Sequence, residues 1–195
     1  NREQTGNSLR FLSRLWWFDG NRKQSEFYAK EAIAVLEHEP STKAKAMAFS
    51  NMSQLQMLAD RSADCVKWGE KAIAIANEFN DEEILSHAMN NVGAVLMMQP
   101  ATQEKGIQLL EQSLALAIKN GYHEHAARAY TNLGSGPVKI MKYAFAEKIL
   151  SEGIHYCEER DLNSWTTYML SWKARLYQET GRWKEATSIA DNLIN

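Results

Sequence analysis

Small residues recur along this chain at a nearly constant interval, and that period constrains the fold more than any motif does. Ser13, Ser53, Gly93, Gly134 and Ala174 stand 40, 40, 41 and 40 residues apart. A second ladder, Ser25, Cys65, Gly106, Ala146 and Ala186, follows twelve or thirteen residues behind it. A third, Ala32, Ala72, Ser113 and Gly153, slips to Leu193 in the last unit, and each of its members precedes an aliphatic: Ile33, Ile73, Leu114, Ile154 and Ile194. Self-similarity at this period marks a chain built by stacking one supersecondary unit. Two helices approach closely only where a side chain at the crossing is minimal. Each unit therefore reads as two antiparallel helices, and the ladders read as core.

Turn-forming residues fall where such a repeat needs them, for example at Asp19-Gly20-Asn21, Glu39-Pro40-Ser41, Asp60-Arg61, Asn80-Asp81, Asn120-Gly121, Asp161-Leu162-Asn163 and Gly181-Arg182. The pattern predicts ten helices over 7–19, 22–37, 42–59, 62–79, 82–98, 103–119, 123–140, 142–160, 164–180 and 182–194, with residues 1–6 as a polar lead. Residues 7–195 form one repeat domain, with repeats 7–40, 41–80, 81–121, 122–161 and 162–195. No alternation of period two competes. Gly134-Ser135-Gly136-Pro137 places helix breakers where the sister helices carry good helix formers. The expectation there is a kink, fraying or a hinge.

At 195 residues with a net charge of −2, the chain lacks the basic character of a general nucleic-acid binder. No apolar run approaches a membrane span, and the polar opening lacks a signal-peptide core. Cys65 and Cys157 lie more than two repeats apart. A disulfide is not expected, which fits a reducing, cytoplasmic setting. The missing initiator Met suggests an excised segment. Trp16, Trp17 and Phe18 at one end, and Ile189, Leu193 and Ile194 at the other, lack polar capping helices. Both ends are expected to continue in a longer protein or to self-associate.

Segments such as Ala129-Tyr130-Thr131-Asn132-Leu133-Gly134 and Gly181-Arg182-Trp183-Lys184-Glu185-Ala186 resemble tetratricopeptide repeats of the long-helix kind. The resemblance implies an all-α, right-handed superhelix of about five antiparallel helix pairs. The recurrent Pro, Asp and Arg of HEAT repeats are absent. The chain also resembles the helical sensor region of large bacterial regulators, LuxR-type or signal-transduction ATPases. That resemblance is carried by Leu12-Ser13-Arg14-Leu15-Trp16-Trp17-Phe18, by the stretch from His123 to Leu133, and by Tyr156-Cys157-Glu158-Glu159-Arg160-Asp161-Leu162. No phosphate-binding Gly-x-x-x-x-Gly-Lys loop and no helix-turn-helix is readable here, so ATPase or promoter-binding activity of such a parent would lie outside the chain.

Catalytic chemistry has little support. His123-Glu124-His125 puts two histidines on different helix faces, whereas a helical zinc site needs them four apart. Cys65 sits on a small-residue ladder and Cys157 follows an inward face, so both read as packed thiols rather than nucleophiles. The expectation is no catalytic residue, no metal and no cofactor.

Binding is the better prospect. The repeat resemblance implies that the first helix of each pair lines a concave face. Around the first ladder, that face would carry Arg10, Arg14, Asn51, Gln54, Asn91, Arg128, Asn132, Trp172 and Arg175 as a groove. The wider set of twenty such positions holds four arginines and no carboxylate. Asn can hold an extended backbone amide through a donor and an acceptor, while Arg forks onto a carboxylate or phosphate. The expected partner is a protein or peptide, or a small-molecule inducer, with no direct nucleic-acid or membrane binding by this segment. The chain therefore reads as a non-catalytic binding module: the sensor segment of a bacterial transcriptional regulator or, alternatively, a free-standing scaffold.

Overall fold

The computed structural model describes residues 1–194. Ten α-helices follow in order: α1 Arg2–Phe18, α2 Arg22–Leu36, α3 Lys43–Leu58, α4 Ser62–Glu78, α5 Glu82–Met97, α6 Gln103–Lys119, α7 His123–Lys139, α8 Tyr143–Glu158, α9 Asn163–Glu179 and α10 Trp183–Ile194. A 3₁₀ turn, Pro100–Thr102, precedes α6. The described residues contain no strand. The chain divides into two compact units, Asn1–Leu96 and Met97–Asn195.

In the first unit α1 packs on α2, α3 on α4, and α3 also lies against both helices of the preceding pair. Its core joins Ala29 and Ile33 of α2 to Phe49, Met52 and Leu55 of α3, Ala72 and Ile75 of α4, and Ile84 and Ala88 of α5. The Phe49 and Trp68 rings meet at 5.3 Å. In the second unit α7 packs on α8, α9 on α10, and α9 lies against both α7 and α8. Met169 of α9 is fully buried there.

The ladders explain these close approaches. A Cβ on Gly134 would come within 2.5 Å of Leu150 Cδ2, and one on Gly153 within 2.7 Å of Tyr130 Cβ and 2.8 Å of Met169 Sδ. Ser53 turns its hydroxyl inward and donates to the Cys65 carbonyl at 2.8 Å. All ladder members are buried until the last repeat, where Ala174, Ala186 and Leu193 are half-buried.

Helix ends repeat one device. A residue in the left-handed region is followed by an N–H that reaches back five residues to a helix carbonyl, as from Arg61 to Gln56, Asp81 to Ala76, Tyr122 to Ala117 and Arg182 to Tyr177. Backbone φ is +56° at Asp60, +48° at Asn80, +70° at Gly121 and +79° at Gly181. This closure satisfies carbonyls that a helix end leaves bare. The α7–α8 turn uses Met141 at φ +60°. No Gly, Asn or Asp marked that turn in the sequence.

Two sequence expectations change. Residues 2–6 are not a lead but the first turns of α1: the Asn1 side chain caps the helix by accepting the Glu3 N–H at 3.0 Å. Gly6 is buried because its missing side chain lets Leu36 approach. The second change concerns Pro137, through which α7 runs unbroken to Lys139. The proline lies in the last turn, so its missing N–H forgoes only one helix bond. Gly136 just before it makes room for Met97, whose Cε would lie 2.0 Å from an added Cβ. The glycines of that segment answer a packing demand.

Candidate partner-binding faces

The odd-numbered helices of the first unit carry the expected residues Arg10, Arg14, Asn51, Gln54 and Asn91, but in two different roles. Arg10 and Arg14 stand one turn apart on α1. The Arg10 Nε donates to Asn7 Oδ1 at 3.1 Å, and its guanidinium lies 4.0 Å from the centre of the Phe11 ring. Arg14 lies 5.9 Å from the Phe18 ring. Burial, and next the neighbouring charge of Arg14, lower the Arg10 pKa to about 10, against an opposing pull from Glu83. The two cations lie close enough for each to feel the other's charge.

Asn51 and Asn91 are not groove residues. Both are buried, Asn91 completely. The Asn51 Nδ2 donates to Ser13 Oγ at 3.1 Å, and the Asn91 Nδ2 donates to the Ser50 carbonyl at 2.9 Å. Each amide thus ties its helix to the preceding odd-numbered one. Ser50 also pairs with His87 Nδ1 at 2.6 Å, and the Cys65 thiol donates to the Asn91 carbonyl at 3.4 Å. The donor capacity that suggested a held peptide is spent inside the protein. Gln54 is half-buried beside them.

In the second unit the odd helices present two parallel rows. Along α7 stand Arg128, Asn132 and Lys139, at positions i, i+4 and i+11 of one face. Along α9 stand Tyr168, Trp172 and Arg175 at i, i+4 and i+7. Lys139 joins the rows, its Nζ lying 5.3 Å from the Trp172 ring. Arg175 lies 5.5 Å from the same ring and 3.5 Å from Glu179. The Tyr168 ring lies 6.5 Å away at a 56° tilt and is half exposed. Lys139 was not among the expected residues. Continuing the helical spacing from Arg128 past Asn132 would have found it.

The histidine motif is divided among neighbours. His123 Nδ1 meets the Tyr156 hydroxyl at 2.8 Å, and Glu124 accepts the Trp165 indole N–H at 2.5 Å. Among the described residues no group of three or more His, Cys, Asp or Glu is placed to hold a metal ion. Burial pushes the Cys157 thiol up to about 11. No helix among the described residues is long and apolar enough to cross a membrane.

Solved structures share this architecture. BtubC (BKLC) from P. vanneervenii matches with a TM-score of 0.72 over 98% of this chain and 79% of that one, at 16% identity. A Podosopora anserina protein of the kinesin-light-chain kind, with nearly identical TPR-like repeats, matches at 0.70 over 99% and 94%, at 16% identity. The fold is a tetratricopeptide-like helical repeat. Aspartyl phosphate phosphatase F from Bacillus subtilis shares this TPR-like fold at a TM-score of 0.70, over 99% of this chain but 60% of that one, at 14% identity. No family model and no curated protein matches the chain. Identities this low carry the TPR-like fold alone.

Proposed function

We propose that this chain is a non-catalytic module that binds a protein or peptide partner on the exposed faces of its odd-numbered helices, and that it favours acidic segments. The observation that carries this reading is the partition of charge. Acids on the odd-numbered helices are Glu3, Glu82, Glu83, Glu124 and Glu179, every one in a first or last turn. Mid-helix positions there hold Arg10, which is buried, with the half-buried Arg14 and Arg128, and no carboxylate. The even-numbered helices carry acids along their lengths, including Glu70, Glu111 and Glu152. In a chain with 24 acids against 22 bases, this segregation concentrates positive potential on one set of faces. Opposite charge on a partner then speeds encounter and excludes wrong partners.

Selection of displayed random peptides on the whole chain tests this. Recovered peptides should be rich in Asp and Glu, and should bind less tightly to Arg14→Glu or Arg175→Glu at unchanged helicity. Peptides without acidic enrichment, or insensitive to both reversals, would overturn the reading. The sequence resemblance to LuxR-type and signal-transduction ATPase regulators supports a setting as the sensor segment of a bacterial cytoplasmic regulator. A P-loop ATPase or helix-turn-helix encoded in the same reading frame would separate that setting from a free-standing scaffold.

A further inference from the structure

The second unit concentrates more on one spot than general positive potential requires. The Trp172 ring is flanked by two cations from two helices, Lys139 of α7 and Arg175 of α9, with their charged groups 5.3 and 5.5 Å from its centre. Lys139 is exposed and has no ion-pair partner among the described residues. Among the described residues Arg175 ion-pairs with Glu179 on its own helix, an exposed contact of a type that competes weakly with a ligand. Tyr168, one turn before Trp172, extends the aromatic surface and is 48% exposed. Large aromatic surface is ordinarily covered in a protein. Here Tyr168 is exposed and Trp172 only half-buried, with two cations beside the indole.

Building on the reading above, we infer that Lys139, Tyr168, Trp172 and Arg175 form an anchor for one short element of the partner: a carboxylate side chain beside an aromatic or large aliphatic one. The carboxylate pairs with the cations beside the ring, Lys139 and Arg175. Its apolar neighbour covers Trp172 and Tyr168. Aromatic anchors with a charged rim dominate the energetics of many interfaces. The chemistry specifies a peptide rather than a nucleic acid, because one lysine and one arginine do not track a phosphate backbone.

The test uses the whole chain and fluorescein-labelled peptides in a Gly/Ser frame carrying Glu-Phe-Glu, Glu-Ala-Glu or Lys-Phe-Lys, read by anisotropy, with oligothymidylate as a further probe. Glu-Phe-Glu should bind about tenfold more tightly than Glu-Ala-Glu, and Lys-Phe-Lys should not bind. Trp172→Ala should erase the preference for Phe, and Lys139→Glu with Arg175→Glu should abolish binding. Trp172→Phe should restore most of it, which a folding defect would not allow, and Lys148→Glu on α8 should change nothing. If Glu-Phe-Glu binds but ignores the Trp172 and Lys139 variants while responding to Arg14→Glu, the anchor is overturned and the broader reading stands. If neither acidic peptide binds the parent chain, both fall. Tighter binding of oligothymidylate through Trp172 would also overturn the anchor.

Discussion

Asn91→Asp separates a buried amide from a solvated one. The substitution keeps size and shape, so it opens no cavity, but it replaces the NH₂ that donates to the Ser50 carbonyl at 2.9 Å with an oxygen. Asn91 is fully buried. With the new side chain protonated, the loss is that of one hydrogen bond, about 0.5–1.5 kcal/mol. Burial disfavours the ionised form and raises its folded-state pKa by about three units above the unfolded value near 3.9. A raised carboxyl pKa costs stability progressively as pH climbs from the unfolded value to the folded one, at up to about 1.4 kcal/mol per unit. The variant should therefore lose about 1.5–2.5 kcal/mol at pH 4.5 and about 4.5–5.5 kcal/mol at pH 7.5. Urea unfolding of parent and variant at the two pH values measures this difference. A loss below about 0.5 kcal/mol at both pH values, as expected of a surface substitution, would refute the placement of Asn91 inside the protein.

Gly153→Val should destabilise by about 2–3 kcal/mol in thermal or urea melts, because its first carbon already lies 2.7 Å from Tyr130 Cβ, which is tethered to the backbone of α7. Met141→Gly should stabilise by about 0.5–1 kcal/mol in the same melts, since Met141 holds φ +60° while 73% exposed, and glycine removes the strain without emptying a core. Cys157, buried and raised to about 11, should resist a thiol reagent at pH 8 and react promptly once urea is added. The sign of its linkage follows: the unfolded chain loses that proton first, so the thiol weakens the fold as pH rises from about 9 towards 11.

Much of the fold is legible because steric demands repeat. Gly134, Gly153, Ser53 and Cys65 announce the crossings by being small, and Asp60, Asn80, Gly121 and Gly181 announce the turns by tolerating positive φ. Met141 announces nothing, since the turn there is imposed by the helices on either side. The polar opening residues hid the start of α1, because the exposed face of a helix and a free lead have the same composition. The faces that bind are harder to read. Asn91 and Asn132 occupy equivalent positions of successive repeats, yet one is buried and the other half exposed. The partner that satisfies buried Asn91 is a serine forty-one residues earlier, and a single chain does not reveal which surfaces will meet. The repeat resemblance places Trp172 and Arg175 on the presumed face, and helical spacing adds Lys139 to the row on α7, but its approach to the indole from another helix is visible only in the structure.

The amides that reach back from Asn51 to Ser13 and from Asn91 to Ser50 give the first unit a ratchet. Apolar side chains alone would let one helix pair slide along its neighbour with little change in contact. One turn of sliding is about 5.4 Å, enough to part donor from acceptor in a place water does not reach. Only one registration is then tolerated at each joint. Sliding at either joint strands its buried amide, which holds the first unit to a single register.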